Sequence, residues 1–214
     1  MQDINKLLKE TNLTRGKEDT WTWERDKLGD YSTSSGYTAL VQQQPSPYRQ
    51  VFEKIWNPLI PHKVCGFTWL LLLDRIPSKF NLLKRGLIKK MEAVKCSLCG
   101  RNVEDSNHLF LHCSVTIKIW SMCFEWWGFS TAIAGSCWDS FIQHESLATK
   151  SSERLGWIIV WFSLVWTIWT TRNEVIFRGK SMDLTKTFDQ VQAQAFLWVK
   201  SKERKYISAS LIGS

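Results

Sequence analysis

Apolar residues recur at helical spacing along most of the chain, and this pattern predicts a mainly α-helical protein. Between positions 115 and 127 they stand three or four residues apart, on one face of a helix: Ile117, Trp120, Cys123, Phe124 and Trp127. Similar periods or apolar runs predict helices over residues 51–56, 63–73, 79–86, 115–127, 153–178 and 183–206. Ser78 and Asp183 stand at two of the predicted helix starts, where a short polar side chain can cap a helix.

The N-terminal part of the chain has a different pattern. Residues 1–20 are polar with alternating charge and predict a loose arm. Residues 21–40 predict a short β-strand, a turn and the start of a helix. Residues 42–49 predict a linker because their two prolines cannot continue a helix. The predicted fold class is therefore mainly α, with a short N-terminal β element and long C-terminal helices.

An uncharged segment, residues 155–171, lies between Arg154 and Arg172. Its 17 residues reach the lower length limit of a membrane-spanning helix. Four Trp are spread through it, whereas Trp in membrane proteins concentrates at the two interfaces. We therefore predict a central helix buried in the protein. The 13 Trp of the whole chain agree with a substantial core, because Trp is costly to leave in water.

The positive charge is unevenly distributed along the sequence. The chain has a formal net charge of +8, and residues 61–100, the basic segment, carry eight basic and two acidic side chains. Such an excess suits contact with a phosphate backbone, and it equally suits a solvated helix face. The candidate phosphate contacts are Lys79, Lys84, Arg85, Lys89 and Lys90.

A cluster of Cys and His has the spacing of a structural zinc site. Cys96 and Cys99 are separated by two residues, and two such thiolates can bind one tetrahedral ion when the turn between them is tight. His108 and Cys113 lie five positions apart and bring an imidazole and a thiolate to one side of a short helix. Together they predict a closed Cys3His shell, which leaves no position for a reacting water.

His112 competes with His108 for a place in this shell. His112 and Cys113 are adjacent and point in different directions, so a shared ion would strain the backbone, and His108 is favoured. Glu104 and Asp105 stand near a turn and are predicted as solvated or capping residues. Three further cysteines have no partner at ligand spacing and are predicted as buried apolar residues: Cys65, Cys123 and Cys137.

The order of these motifs resembles the zinc-binding domain that follows the polymerase domain in plant LINE-type (non-LTR) retrotransposon reverse transcriptases. The matching stretches are WTWERDKLGDYSTSSGY (21–37), FEKIWNPLIPHKVCGFTWLLLLDRIPSKFNLLKRGL (52–87) and CSLCGRNVEDSNHLFLHC (96–113). The stretch WTIWTTRNEVIF (166–177) also resembles the region that follows this domain in plant elements. The chain departs from the family at Cys65-Gly66, where a larger side chain is usual, and this concerns packing and not the zinc site.

The resemblance implies a zinc-binding domain over residues 21–127, a linker over 128–152 and a Trp-rich helical region over 153–214. It also implies zinc as the cofactor, with the same four ligands, and a role in holding RNA or DNA during reverse transcription. The paired aspartates of a polymerase, the carboxylates of a ribonuclease H and a phosphate-binding loop have no counterpart in the sequence. We therefore expect no catalytic activity.

Two functions remain open. The first is a non-catalytic zinc-binding module that contacts RNA or DNA through the basic segment. The second is a structural or protein-interaction helical domain held together by zinc, with no role on nucleic acid. In that case the 155–171 helix would dock against a second copy or against other domains of a parent polyprotein. The opening MQDINKLLKE lacks the apolar run of a signal peptide, so we expect that the protein is not secreted. The resemblance to retroelement proteins implies a nuclear or cytoplasmic site.

Overall fold

The computed structural model describes residues 22–23, 30–32, 35, 48–147 and 150–212. The chain divides into two units, Met1–Pro47 and Tyr48–Ser214. In the first unit the Trp23 and Tyr31 rings meet edge to face, with their centroids 5.1 Å apart. The predicted β element, and the helix start after it, lie almost entirely outside the described residues.

The second unit is built from helices. Its seven described α-helices are α1 (Tyr48–Ile55), α2 (His62–Leu72), α3 (Lys79–Lys84), α4 (Ser114–Trp127), α5 (Cys137–Leu147), α6 (Ser151–Arg178) and α7 (Leu184–Ile212). A 3-10 turn spans Met91–Val94 and a π-helical turn spans His108–His112. Among the described residues the only β pairing is an isolated antiparallel bridge between Lys95 and Val103. The mainly α prediction is confirmed.

The helix ends follow from local chemistry. The Ser78 hydroxyl accepts a hydrogen bond from the Asn81 N–H at 3.3 Å and caps α3. The Asp183 carboxylate accepts one from the Lys186 N–H at 3.1 Å at the start of α7. The cap predicted at Ser78 and the helix start predicted at Asp183 are therefore confirmed. Helices α4 and α6 end where Gly128 and Gly179 adopt left-handed φ values of 68° and 62°.

Helix α6 is the centre of the core and packs against α2, α4, α5 and α7. Trp157 is fully buried and Trp161 is 1% exposed, and both lie in the uncharged segment that was predicted to be a buried central helix. That prediction is confirmed. The apolar face of α6 is covered by helices of the same unit, and docking of this helix to a second copy or to further domains stays a prediction. In the part of the chain that the structure describes, no helix is both long and apolar enough to cross a membrane.

The second unit includes segments on both sides of the predicted boundaries at 127 and 152. Helix α5 lies inside the predicted linker over 128–152, and its Phe141 packs edge to face on Trp161 of α6, with 5.0 Å between the centroids. The division into a zinc-binding domain, a linker and a Trp-rich region stays a prediction. Within the described unit, all three segments contribute to one core.

Candidate metal centre

The first two candidate ligands lie on a short hairpin, residues 95–103, called the zinc hairpin. The Lys95–Val103 bridge closes its base, and the Cys96 N–H donates to the Asn102 carbonyl at 2.8 Å. The Gly100 N–H donates to the Cys96 carbonyl at 2.8 Å, with Gly100 at a φ of 69° that disfavours other residues. This tight turn brings the thiols of Cys96 and Cys99 to one side, as the C-x2-C spacing predicts.

The other two candidate ligands lie at the ends of the π-helical turn. His108 is the first residue of this turn and Cys113 follows its last residue, and the Cys113 N–H donates to the His108 carbonyl at 2.7 Å. The Asp105 carboxylate accepts a hydrogen bond from the His108 N–H at 2.7 Å, so Asp105 caps the turn. The wider turn brings residues five positions apart to one side of the helix. The predicted short helix is thus present in π form.

The four side chains meet in one place. The ligand atoms of Cys96, Cys99, His108 and Cys113 all lie within 4.8 Å of one another. Cys99 Sγ lies 3.3 Å from His108 Nε2, and Cys96 Sγ lies 3.9 Å from Cys113 Sγ. Thiolates that bind a tetrahedral zinc at about 2.3 Å lie about 3.8 Å apart, so the spacing of this cluster suits zinc. The four residues therefore form a site that can hold a zinc ion.

The structure places His112 outside this cluster. Its Nε2 lies 3.1 Å from the Gly135 carbonyl oxygen, and the side chain is exposed. His108 is 7% exposed, and its Nε2 points at the thiols. The geometry thus favours His108 over His112, in line with the argument from adjacent side-chain directions.

A hydrogen bond between two of the thiols shifts their pKa values in opposite directions. A hydrogen bond from the Cys96 thiol lowers the pKa of Cys113, because it stabilises the Cys113 thiolate. The same hydrogen bond, together with burial, raises the pKa of Cys96. The thiolate is the form of cysteine that binds a metal, so this pair presents one ready ligand.

Glu104 lies directly behind the zinc hairpin and is fully buried. Its carboxylate accepts hydrogen bonds from the Ser97 N–H at 2.9 Å and from the Lys79 N–H, at the start of α3, at 3.2 Å. It also forms an ion pair with Arg172 of α6, whose guanidinium is 4% exposed. Burial alone would raise the pKa of Glu104, but Arg172 and the Ser97 N–H outweigh it and hold that pKa below its usual range. The prediction of a capping role is confirmed, and the alternative of a solvated Glu104 is wrong.

Asp74 and Asn107 fix the loop that carries His108. The Ser106 hydroxyl donates to Asp74 Oδ1 at 2.5 Å, and Asp74 itself has a φ of 51° at the end of α2. The Asn107 side-chain oxygen accepts a hydrogen bond from the Cys137 N–H, at the start of α5, at 3.0 Å. Sequence reasoning did not assign Asp74, Asn107 or Arg172 to the site. For Arg172 the available signal was the resemblance of WTIWTTRNEVIF to the family's following region.

Three of the five predicted phosphate contacts are engaged within the protein. Lys79 Nζ donates to the Lys95 carbonyl at 2.8 Å. Arg85 Nη2 donates to the Arg75 carbonyl at 2.8 Å. Lys84 Nζ lies 3.7 Å from Asp74 Oδ2 and 4.5 Å from the centroid of the Phe80 ring. Arg85 and Lys84 are nevertheless exposed and retain donors that face solvent.

Lys89 and Lys90 follow α3 and lie in the loop before the 3-10 turn. Both are exposed, and within the described residues neither side chain makes a hydrogen bond or an ion pair. Their ammonium groups are therefore available to an anionic partner. The remaining cysteines, predicted as buried apolar residues, are buried away from the cluster: Cys65, Cys123 and Cys137.

Residues 31–120 match the family described as zinc-binding in reverse transcriptase. The matched range includes the zinc hairpin and all four candidate ligands, and it ends within α4. The match is to a zinc-binding domain and not to a polymerase or ribonuclease H domain. Comparison with the curated proteins found no match, and comparison with the solved structures found none either. Residues 31–120 of this chain are therefore similar to the zinc-binding domain of reverse transcriptases, as the order of its motifs predicts.

Proposed function

We propose that this chain is a non-catalytic zinc-binding module, derived from a retrotransposon reverse transcriptase, that contacts RNA or DNA through its basic segment. The supporting observation is that the zinc hairpin and the basic segment are physically joined. The backbone N–H of Lys79 donates to Glu104, and Lys79 Nζ donates to the Lys95 carbonyl at the base of the hairpin. Glu104 and the base of the zinc hairpin therefore hold both ends of residues 79–95, the part of the basic segment that carries Lys84, Arg85, Lys89 and Lys90.

Phosphate contact is the chemistry that this surface supports. Lys89 and Lys90 are exposed and unpaired within the described residues, and Arg85 adds an exposed guanidinium. Lysine and arginine that neutralise phosphates release condensed counterions, which supplies sequence-independent affinity for nucleic acid. A loop fixed at both ends loses little freedom when it binds, so its charges act together.

The metal in this function is structural. Cys96, Cys99, His108 and Cys113 would fill all four positions around a zinc ion and leave none for a reacting water. Bound zinc would cross-link the zinc hairpin to the π-helical turn. The residues themselves contribute a buried, hydrogen-bonded frame that sets the loop geometry.

The proposal is tested by titrating the zinc-loaded protein into labelled single-stranded RNA and DNA of about 20 nucleotides at several salt concentrations. We expect binding whose affinity falls steeply with salt. The double variant Lys89→Gln, Lys90→Gln should weaken binding on all sequences. It should also reduce the slope of log affinity against log salt by about 0.7 for each lost contact with a single strand.

The matched control is Lys180→Gln, Lys186→Gln, which removes the same charge from exposed positions around the start of α7. This control should bind with nearly the affinity of the parent protein. If both double variants lost the same affinity for RNA or DNA, net charge alone would explain the loss. That result would contradict an interface on the basic segment. Absence of salt-dependent binding in the parent protein would instead favour the second function, a helical domain that zinc holds together without nucleic acid.

A further inference from the structure

Arg172 lies outside the matched family range and pairs with Glu104, which lies directly behind the zinc hairpin. It lies on α6 and is separated from Glu104 by 68 positions in the chain. Its Nε donates to Glu104 Oε1 at 3.1 Å, and its Nη2 donates to the same oxygen at 2.5 Å. Both side chains are almost completely buried, with exposures of 4% for Arg172 and 0% for Glu104.

The surroundings of Arg172 hold its guanidinium in one orientation. Its Nη1 donates to the side-chain oxygen of Asn173 at 2.8 Å. The guanidinium carbon lies 4.8 Å from the centroid of the Trp169 ring, and Phe67 of α2 stacks on that ring at 5.6 Å. Trp169, Arg172 and Asn173 all belong to the WTIWTTRNEVIF stretch, which contains no candidate metal ligand and no predicted phosphate contact.

Glu104 connects the guanidinium of Arg172 to the turn that carries two of the ligands. Its second oxygen accepts a hydrogen bond from the Ser97 N–H at 2.9 Å, and Ser97 lies between Cys96 and Cys99. A carboxylate that is buried with one positive partner depends on that partner for its charge. Without Arg172, Glu104 would be driven to take up a proton or move towards water, and either change would weaken its hold on the turn between the two thiols.

We propose that Arg172 is a positioning residue of the metal site, which acts through Glu104 to hold the Cys96–Cys99 turn in its zinc-binding conformation. The functional zinc-binding unit then extends past the matched family range into α6. Partners behind the ligands of a metal site tune its affinity by about 10- to 100-fold. This inference rests on the metal site and is independent of nucleic-acid contact, so each can fail without the other.

The test compares zinc retention in three variants of the full chain. Arg172→Met removes the guanidinium, Arg172→Lys keeps the charge but loses the two-donor contact, and Arg178→Met is the control. Arg178 lies on the same helix, 69% exposed, and pairs only with Glu174 among the described residues. The zinc dissociation constant is measured against a chromogenic chelator, and the release rate is measured well below the melting temperature. The melting temperature of each metal-free form is recorded alongside.

We expect Arg172→Met to weaken zinc binding by about 10- to 100-fold, Arg172→Lys to lie between it and the parent, and Arg178→Met to match the parent. The cobalt-loaded Arg172→Met protein should also show altered thiolate-to-metal absorption, because the turn that carries two thiolates changes. A lower melting temperature of the metal-free Arg172→Met protein, with zinc affinity and release rate within twofold of the parent, would overturn the proposal and leave a purely structural ion pair.

Glu104→Gln keeps the experiment decisive if Arg172→Met does not fold. The amide retains an oxygen that can accept from Ser97, and it no longer needs a positive partner. If Arg172 acts through Glu104, the double variant Glu104→Gln, Arg172→Met should bind zinc about as well as Glu104→Gln alone. Losses of zinc affinity that add independently in the double variant would contradict the proposed route through Glu104.

Discussion

At the scale of single residues, the surroundings of the six cysteines divide them into two chemical classes. Cys65, Cys123 and Cys137 lie in the core, and burial raises the pKa of all three, that of Cys123 to about 12. The other three converge on the metal site, where Cys99 is half-buried. Because the thiolate is the reactive form of cysteine, reactivity should follow this division.

We expect iodoacetamide at about pH 8 to spare the three core cysteines of the folded protein, since all three are buried and burial raises the pKa of each thiol. A chelator should expose the metal site to the reagent, with Cys99 modified before the buried Cys96. Peptide mapping by mass spectrometry after short exposure measures the order. Modification of Cys123 or Cys137 in the native protein would contradict the burial of these residues.

The metal ligands were predictable because their signal is local: the four fall within 18 positions, and each pair sits at a spacing set by one turn of backbone. The burial of Glu104 was not predictable, because it depends on Arg172, 68 positions away. A single sequence shows an acidic residue near a turn, and such a residue is usually solvated. Only the tertiary structure brings Arg172 to Glu104 and so offsets the cost of burying the carboxylate.

At the scale of elements, the helices could be predicted because each has an apolar period or a capping residue. The exact starts and ends were less accessible: α1 begins at Tyr48, inside the segment predicted as a linker, and α7 continues to Ile212. The π form of the His108–His112 turn was not predicted either. In this turn the hydrogen bond joins residues five positions apart, which brings His108 and Cys113 to one side. Residue propensities do not predict this pattern.

Two helical glycines offer a matched test of the packing. Around Gly66 of α2, an added Cβ would meet no other atom within 4 Å. At Gly156 of α6, an added Cβ would lie 2.4 Å from the tip of the Trp127 ring. Trp127 has little freedom to retreat, because its ring packs against Trp157 with 5.7 Å between centroids. The two positions therefore differ in space and not in secondary structure.

We expect Gly66→Ala to stabilise the protein by about 0.5–1 kcal/mol, because alanine loses less backbone entropy in a helix than glycine. Gly156→Ala should destabilise it, since overpacking of about 1–3 kcal/mol exceeds that gain. Urea unfolding followed by circular dichroism measures both free energies of unfolding. Stabilisation by Gly156→Ala would show that the Trp127 ring moves at no cost, contrary to the packing of the α4–α6 contact.

At the scale of the whole molecule, most of the core lies outside the metal site. The core is centred on α6, with Trp157, Trp161 and Phe162 almost fully buried. The metal site cross-links the zinc hairpin to the π-helical turn, and its Cys96 and Cys113 belong to the same core. A core of this size can persist when the cross-link is removed, unlike that of an isolated zinc finger.

We expect chelation of zinc to lower the melting temperature while leaving most of the helical circular dichroism at 20 °C. If free zinc is present at about 1,000 times its dissociation constant, it stabilises the fold by about 4 kcal/mol. For a chain of this length, that corresponds to a shift of roughly 8–16 °C. Thermal melts with and without chelator provide the measurement, and a Cys96→Ser, Cys99→Ser variant should already melt at the lower temperature. Complete loss of helical signal on chelation would contradict an independent core.

The distance between Glu104 and Arg172 along the chain also sets an order of events during synthesis. The four candidate ligands are complete once Cys113 has been made, so zinc can be captured early from a nascent chain. Arg172 is added 68 residues after Glu104, which takes about 3 to 14 s at 5–20 residues per second. We expect the burial of Glu104 to be a late step, because its buried ion pair requires Arg172 of α6. The Glu104–Arg172 ion pair can form only after α6 has been translated. We therefore expect the zinc hairpin to reach its final form after that point.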